Sequence, residues 1–416
     1  HRRVARRGRV LGFLYLDGHV RVYHGSHRLP KAHVTRMRLS LPATTDYWVN
    51  DKHGDPLFVV TAEFNEGLVQ MLPVLAAKIR SLVGPSRWVT VVFDRGGWSP
   101  KLFAKLIKIR FDILTYRKGR WKNLPATQFV RCEKSIDGRK VSYDINDRNV
   151  RLLKGRLSLR QITRLSADGH QTPIVTSRRD LPAVVLAYRM FERWRQENFF
   201  KYLREEFALD ALVDYAAEPV APDRMVPNPE WRKAEKYLAT TRAELRKVQA
   251  QYGEAAVANE ENRRPTIRGF KIAHGKLGQR IHDIQCRIGV LKEKRSLMQK
   301  RVPAKDVGGK PIMRLSRERK HLTNCIKMVA YQAESDLLAL LRPHYARADD
   351  EGRTLVTSAL ESAGNLEVGD DEIRVTLSPL SSPHRSRAIA ALCEELNGMD
   401  ACFPGTKLKL QFGVAS

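Results

Sequence analysis

Residues 89–97 read VTVVFDRGG, and the fold turns on how this stretch is taken. A short run of β-branched and aromatic residues with no polar alternation fits a strand covered on both faces. It runs directly into Asp94 and then two glycines, which leave the carboxylate where the backbone of a bulky ligand can approach. A strand buried on both faces needs helices over it, and the flanking sequence supplies them. SPKLFAKLIKI (99–109) has helical spacing, with Ser99 as its cap and Pro100 in the first turn. NEGLVQMLPVLAAKIRSLV (65–83) is a second helix, with Asn65 as its expected cap. Strands are expected at FDILTYR (111–117) and PLFVVTAEF (56–64). At the front, VLGFLYLD (10–17) ends in Asp-Gly and is followed by the alternating HVRVYHG, which predicts a hairpin turning at Asp17–Gly18. The expected order is β-β-β-α-β-α-β, a mixed α/β sheet.

Beyond this first region the pattern changes. Residues 118–180 carry short alternating runs (ATQFVRCE, RKVSYDIN, LRQITRLS) parted by DGR and ADGH turns, a β-rich insertion. A helix is expected from Leu181 to about Tyr215, and the Pro-rich AEPVAPDRMVPNPEW (217–231) closes that region. Two long basic helices follow. Leu238, Leu245, Val248 and Tyr252 line one, and Leu277, Ile281, Ile284, Ile288 and Leu291 line the other, as in a helical hairpin. A third helix spans about 317–342, and a small α/β segment ends the chain. The division expected is a catalytic core at 8–117 and 181–215, the insertion at 118–180, a linker at 216–231, a helical arm at 232–345 and a C-terminal segment at 346–416.

Across 416 residues, 74 Lys and Arg outweigh 45 acids, for a net charge of +29. A charge that large favours polyanions, with nucleic acid foremost among soluble ones. The five cysteines, Cys132, Cys286, Cys325, Cys393 and Cys402, form no CxxC pair, which suits a reducing cytoplasm and argues against a zinc ribbon or disulfide framework. Apolar runs such as LPAVVLAY (181–188) are too short to span a membrane, and no signal-peptide pattern is present. A cytoplasmic protein with no membrane partner is expected.

Three acids stand out by position: Asp17 and Asp94 at strand ends, and Glu197 within RWRQENFFK (193–201). Functional side chains converge at the C-terminal ends of strands in an α/β sheet. Two such acids and one on a packed helix could hold two divalent metals about 4 Å apart, the arrangement used for in-line displacement at phosphodiesters. Hard oxygen ligands suit Mg²⁺. Glu197 shares its helical stripe with Arg193, Lys201 and Arg204, cations that could meet a DNA backbone. The bland alternative is a surface ion-pair helix worth a few tenths of a kcal/mol, and for Asp17 an ordinary Asp-Gly turn. Asp46 and Asp51 in ATTDYWVND are rivals for the first acid, read in a turn-like segment. His19, His24, His27 and His33 are read as hairpin residues facing solvent or DNA, and Trp98 as a core or edge residue.

The element order, with LDG, FDRGG and RWRQENFFKYLREEF as three blocks, resembles the RNase H-like catalytic domain of the DDE transposases. Within them it is most similar to the bacterial insertion-sequence type, in which a β-rich insertion parts the second Asp from the Glu. The likeness covers about residues 8–212. The family's third block, Y-x2-R-x3-E-x6-K, is matched by Arg193 and Glu197; Met190 stands where the Tyr belongs, with Tyr188 two residues earlier, and Arg204 stands where the Lys belongs. The resemblance implies Asp17, Asp94 and Glu197 as catalytic metal ligands, with Tyr188, Arg193, Lys201 and Arg204 near the DNA phosphates. It implies two Mg²⁺ ions, replaceable by Mn²⁺, and a polynucleotidyl transferase and endonuclease that cuts transposon ends and joins the freed 3′-hydroxyl to target. The implied partner is double-stranded DNA, bound by a homodimer at the bacterial nucleoid. Two rivals stand beside it: an inactive, transposase-derived DNA-binding protein, and a nuclease that cuts without joining.

Overall fold

The computed structural model describes residues 12–35, 37–62, 64–191, 193–212, 214–258 and 274–415, without the side chains of 194–197. The chain divides into two compact units. One holds the stretch up to His24 together with Lys31–Tyr215 and Ser316–Ser416; the other holds Gly25–Pro30 and Ala216–Leu315.

The first unit is built on a mixed sheet. Its strands are β1 (Phe13–Val22), β2 (Lys31–Val34), β3 (Leu39–Asn50) and β4 (Pro56–Ala62), followed by helix α1 (Leu68–Val83). Strand β5 (Val89–Phe93), helix α2 (Pro100–Lys108) and strand β6 (Phe111–Tyr116) come next. Then come β7 (Val130–Ile136), β8 (Arg139–Leu152), β9 (Leu157–Leu165) and β10 (Gln171–Thr176). Among the described residues these ten strands form one sheet in the order β2-β3-β1-β5-β6-β10-β9-β8-β7, with β4 also on β3. β1 pairs antiparallel with β3 and parallel with β5, which runs parallel to β6. The remaining strands are antiparallel, so the β-rich stretch extends the same sheet beyond β6.

Alternation along β1 and β5 explains why both faces are covered. Leu14, Leu16, Val91 and Phe93 meet Leu72, Leu75 and Ile79 of α1 and Phe103 and Leu106 of α2. Phe13, Tyr15 and Val92 face the other way, onto Val184, Leu186 and Met190 of helix α3 (Ala183–Phe191). Each such aliphatic or aromatic side chain taken fully from water contributes roughly 1.5–3 kcal/mol. Helix α4 (Trp194–Glu205) follows, and its Phe199, Phe200 and Leu203 pack with Trp48 of β3.

Several expectations are corrected. The Asp17–Gly18 hairpin does not form: β1 runs straight through both residues, neither of which takes the positive φ such a turn requires. The ring of Tyr47 covers Gly18, where an added Cβ would lie 3.0 Å from it. The partner of β1 is β3, a strand hidden in the sequence because ATTDYWVND looks like a turn. Its polar residues are buried instead. Asp46 has no exposed surface and takes ion pairs from Arg21 and from Lys320 Nζ at 2.8 Å, with the Thr61 hydroxyl donating at 2.6 Å. Helix α1 begins at Leu68, not Asn65. Asn65 adopts φ 53° and turns its amide to Ala43 O and Thr45 Oγ1. Ser99 caps α2 as expected. The helix expected over 181–215 is two, α3 and α4, and ends at Glu205.

The second unit carries the short ribbons β11 (Ala217–Pro219) with β14 (Met313–Leu315), and β12 (Met225–Pro227) with β13 (Arg301–Pro303). It also carries helices α5 (Pro229–Val257) and α6 (Gly275–Ser296). Leu238, Val248, Ile284 and Ile288 form their shared core. The ion pairs Glu235–Arg295 and Glu244–Arg287 show that α5 and α6 are antiparallel. The third helix, α7 (Glu318–Leu341), was expected in this arm but belongs to the sheet unit. There Lys320 reaches Asp46, and Tyr331 packs with Phe199 and Trp48. Helix α8 (Ala348–Leu360), strands β15 (Gly364–Val368) and β16 (Glu372–Leu377), helix α9 (Pro383–Asn397) and strand β17 (Lys409–Val414) complete that unit, with the sheet order β15-β16-β17.

Burial by itself would raise the Asp46 carboxyl, yet Lys320 and Arg21 together hold it down at about 2. A depressed carboxylate contributes stability that is complete above its ordinary pKa of 3.8 and is lost as pH falls through about 2. That contribution is roughly 2 kcal/mol. Asp46→Asn, which strands two buried cations, is expected to cost about 3–5 kcal/mol in urea unfolding at pH 7. Its stability should also fall less steeply than the parent's between pH 4 and 2.

Candidate active site

The site is set by one register. Parallel pairing of β1 with β5 matches Leu16 to Phe93, so the next residues along the two strands are Asp17 and Asp94. By alternation both follow Tyr15 and Val92 onto the face covered by α3. Asp94 leaves β5 into the turn Arg95–Gly97 and uses Oδ1 to accept Gly96 N–H at 2.9 Å. The second glycine is dictated by packing: a Cβ on Gly97 would come within 2.4 Å of the Phe93 ring. Asp17 Oδ1 accepts Gly18 N–H at 2.9 Å, and Asp17 Oδ2 accepts from Arg193 Nη1 at 2.9 Å. Both acids reach Tyr47 electrostatically. Burial, then Asp94, Glu66 and Asp17, raise the pKa of its hydroxyl, which donates to Glu66 O at 2.7 Å.

Arg193 stands at the break between α3 and α4, and that break brings its guanidinium onto Asp17. Glu197 lies within α4, and its side chain falls outside the described residues. Lys201 is well exposed, with Glu205 Oε1 at 4.0 Å, and Arg204 is half-buried. Tyr188 departs from expectation: it is 1% exposed in the core beneath α3, out of reach of a DNA backbone. α3 is anchored near the site by the Tyr15 hydroxyl, which donates to Arg189 O at 2.9 Å.

The rivals resolve by burial. Asp46 is enclosed with Arg21 and Lys320, and Asp51 accepts His53 and Asp55 N–H in the β3–β4 turn. His19, expected on a surface hairpin, is buried in β1, stacks on Phe200 with ring centroids 5.2 Å apart and bonds Asp210 at 2.7 Å. Trp98 packs edge-on against Phe103. Among the described residues no three His, Cys, Asp or Glu side chains cluster as metal ligands. In the same residues no helix is long and apolar enough to cross a membrane.

Sequence reasoning missed the support behind α4. The Tyr202 hydroxyl donates to Glu334 Oε2 of α7 at 2.7 Å and meets Thr357 Oγ1 of α8 at 3.0 Å. Arg353 of α8 donates to Glu334 at 2.7 Å and to Ser335 Oγ at 2.6 Å, with its guanidinium 3.9 Å from the Tyr331 ring centre. Burial pushes both tyrosine hydroxyls up to about 12. These partners lie over 130 residues downstream, and no local pattern announces them.

A family model described as "Transposase protein", Transposase_29, matches residues 5–416. The chain belongs to this transposase family. No curated protein sequence matches it. The cryo-EM structure of the piggyBac transposase synaptic complex with hairpin DNA is similar to it at a TM-score of 0.31 and 10% identity, over 46% of this chain. The transposase spans 40% of the length of that chain, and a likeness of this extent carries nothing about mechanism.

Gly97→Ala is expected to cost about 1–3 kcal/mol in urea unfolding, because the new methyl overpacks against Phe93. The open turn glycine Gly138 has space for a Cβ but a φ of +79°, so Gly138→Ala tests backbone strain separately.

Proposed function

We propose that this transposase works through a DDE carboxylate triad of Asp17, Asp94 and Glu197 on an RNase H-like core of the bacterial insertion-sequence type. The observation that carries the reading is the parallel register of β1 and β5, which sets Asp17, within β1, level with Asp94, just past the end of β5. The element order supports it. Strands β1, β3 and β4, helix α1, strand β5, helix α2 and strand β6 follow the order of that core once edge strand β2 is set aside.

The donor set fits divalent metal. Asp17, within β1, and Asp94, just past β5, are hard oxygen ligands on neighbouring strands, each with Oδ1 steadied by a backbone N–H. With Glu197 they would hold Mg²⁺, two ions with Mn²⁺ as substitute, which when bound supplies Lewis-acid activation of water and charge stabilisation at the phosphate. Hydrolysis of one strand at each transposon end frees a 3′-hydroxyl. That hydroxyl then attacks a target phosphate in a second in-line displacement, with no covalent enzyme intermediate. The chain's own part is placement. The Gly96 N–H fixes the Asp94 rotamer, the Arg193 guanidinium holds Asp17, and the Tyr202–Glu334–Arg353 network seats α4. Lys201, Arg204 and the wider excess of positive charge supply backbone contacts to double-stranded DNA. Two ends call for two copies of the chain.

Asp94→Asn is expected to reduce cleavage of a labelled transposon-end duplex in Mg²⁺ by at least ~100-fold while leaving DNA affinity within about 2-fold. Unchanged cleavage would remove the triad. The parent should join the cut end to a plasmid, and cutting without joining would favour a nuclease. DNA affinity should fall by more than about 10³ between 50 and 200 mM salt; a flat response would contradict the backbone contacts.

A further inference from the structure

The two aspartates of the site are held differently. Asp94 Oδ1 accepts the Gly96 N–H at 2.9 Å, and among the described residues no cation pairs with its carboxylate. Asp17 has both oxygens engaged: Oδ1 accepts the Gly18 N–H at 2.9 Å, and Oδ2 accepts from Arg193 Nη1 at 2.9 Å. The Arg193 and Asp17 side chains keep only 16% and 21% of their surface exposed, so salt screens the pair poorly. A hydrogen bond between two ionised groups is about twice as strong as a neutral one. The guanidinium also cancels the negative charge that would draw a dication to Asp17. Asp94 keeps that charge. The backbone around the contact adds a further constraint. Arg193 directly precedes α4 with φ −57° and ψ −21°, and residue 197 follows one helical turn, about 6 Å, further on. One segment therefore carries both the cation seated on Asp17 and the third acid, Glu197.

We propose that Arg193 is an internal competitor for metal at Asp17: a divalent cation gains this acid as a ligand only as the guanidinium leaves it. The proposal rests on the triad reading and adds to it an order of loading, Asp94 before Asp17. The competition follows from charge, because one carboxylate cannot neutralise a guanidinium and a dication together, and the two cations repel each other at a few ångströms. The contact that steadies Asp17 is thus also the contact that must break when the site fills. Charge decides it more than shape does. A single N–H···O bond joins Arg193 to Asp17, so a lysine ammonium, a compact point charge on a long stem, keeps the competition and a neutral side chain removes it.

The test is the Mn²⁺ affinity of the whole chain without DNA, read from the paramagnetic resonance of free Mn²⁺, with a circular-dichroism melt of every variant. Arg193→Gln should bind Mn²⁺ at least ~10-fold more tightly than the parent, which is about 1.4 kcal/mol. Arg193→Lys should stay within about 3-fold of the parent. Adding Asp17→Asn to Arg193→Gln should abolish the gain, and this double-mutant cycle places the competition at Asp17. A merely structural Arg193 would lower the melt and leave the affinity where it was. Arg193→Met, which keeps an aliphatic stem, repeats the test should the glutamine unsettle the α3–α4 break. A folded Arg193→Gln or Arg193→Met chain that binds Mn²⁺ no better than the parent overturns the proposal, as does a gain that survives Asp17→Asn. Binding that needs Asp94 but ignores Arg193 removes the competition and keeps the triad. Binding indifferent to Asp94→Asn removes the triad, and the proposal with it.

Discussion

Parallel pairing sets matched residues of neighbouring strands at one level of a sheet, and that constraint underlies the site proposed for this transposase. β1 and β5 lie side by side, about 4.8 Å apart in any such pair, and their matched register carries each into an aspartate. The register is held by what surrounds it. Leu14, Leu16, Val91 and Phe93 are locked beneath α1 and α2, and Phe13, Tyr15 and Val92 beneath α3. A one-residue slip would send every one of these side chains to the wrong face and part the two acids.

The third element is held from behind by sequence far downstream. Phe199 and Leu203 press α4 onto Trp48, which pairs with Asp17 across β1 and β3. Tyr202 ties the same helix to Glu334 and Arg353. The C-terminal helices α7 and α8 thus help to seat α4 against the sheet, although nothing in their sequence suggests that connection. Buried charge does similar work at Asp46, where two cations fasten β1 and α7 to β3. Buried ionic groups of this kind add little stability over an apolar replacement, but they fix how elements dock.

How much of this could be read from sequence followed the range of the interactions. VTVVFDRGG told its strand, its acid and its turn, because those depend on neighbours within a few residues. Ser99 and Pro100 told their helix start for the same reason. The hairpin at Asp17–Gly18 misled, since Gly18 is small to admit the Tyr47 ring and not to turn the chain. Strand β3 was hidden because Asp46 and Thr44 look solvated until Lys320, 274 residues later or more, is brought to them. Arg193 stood out as a cation on the stripe of Glu197, but its contact with Asp17 depends on the break between α3 and α4. The polar inward face of α7 had no local signal, because Lys320, Lys327 and Glu334 are satisfied by other elements.

The central claim is that Asp17, Asp94 and Glu197 form one divalent-metal site, and anomalous diffraction from crystals of the chain grown with Mn²⁺ tests it directly. Anomalous peaks are expected beside Asp17 of β1 and Asp94 at the end of β5, two of them about 4 Å apart once DNA is bound, with Asp17, Asp94 and Glu197 as ligands. Mn²⁺ bound elsewhere, or a Glu197 carboxylate turned away from both aspartates with metal present, would contradict it.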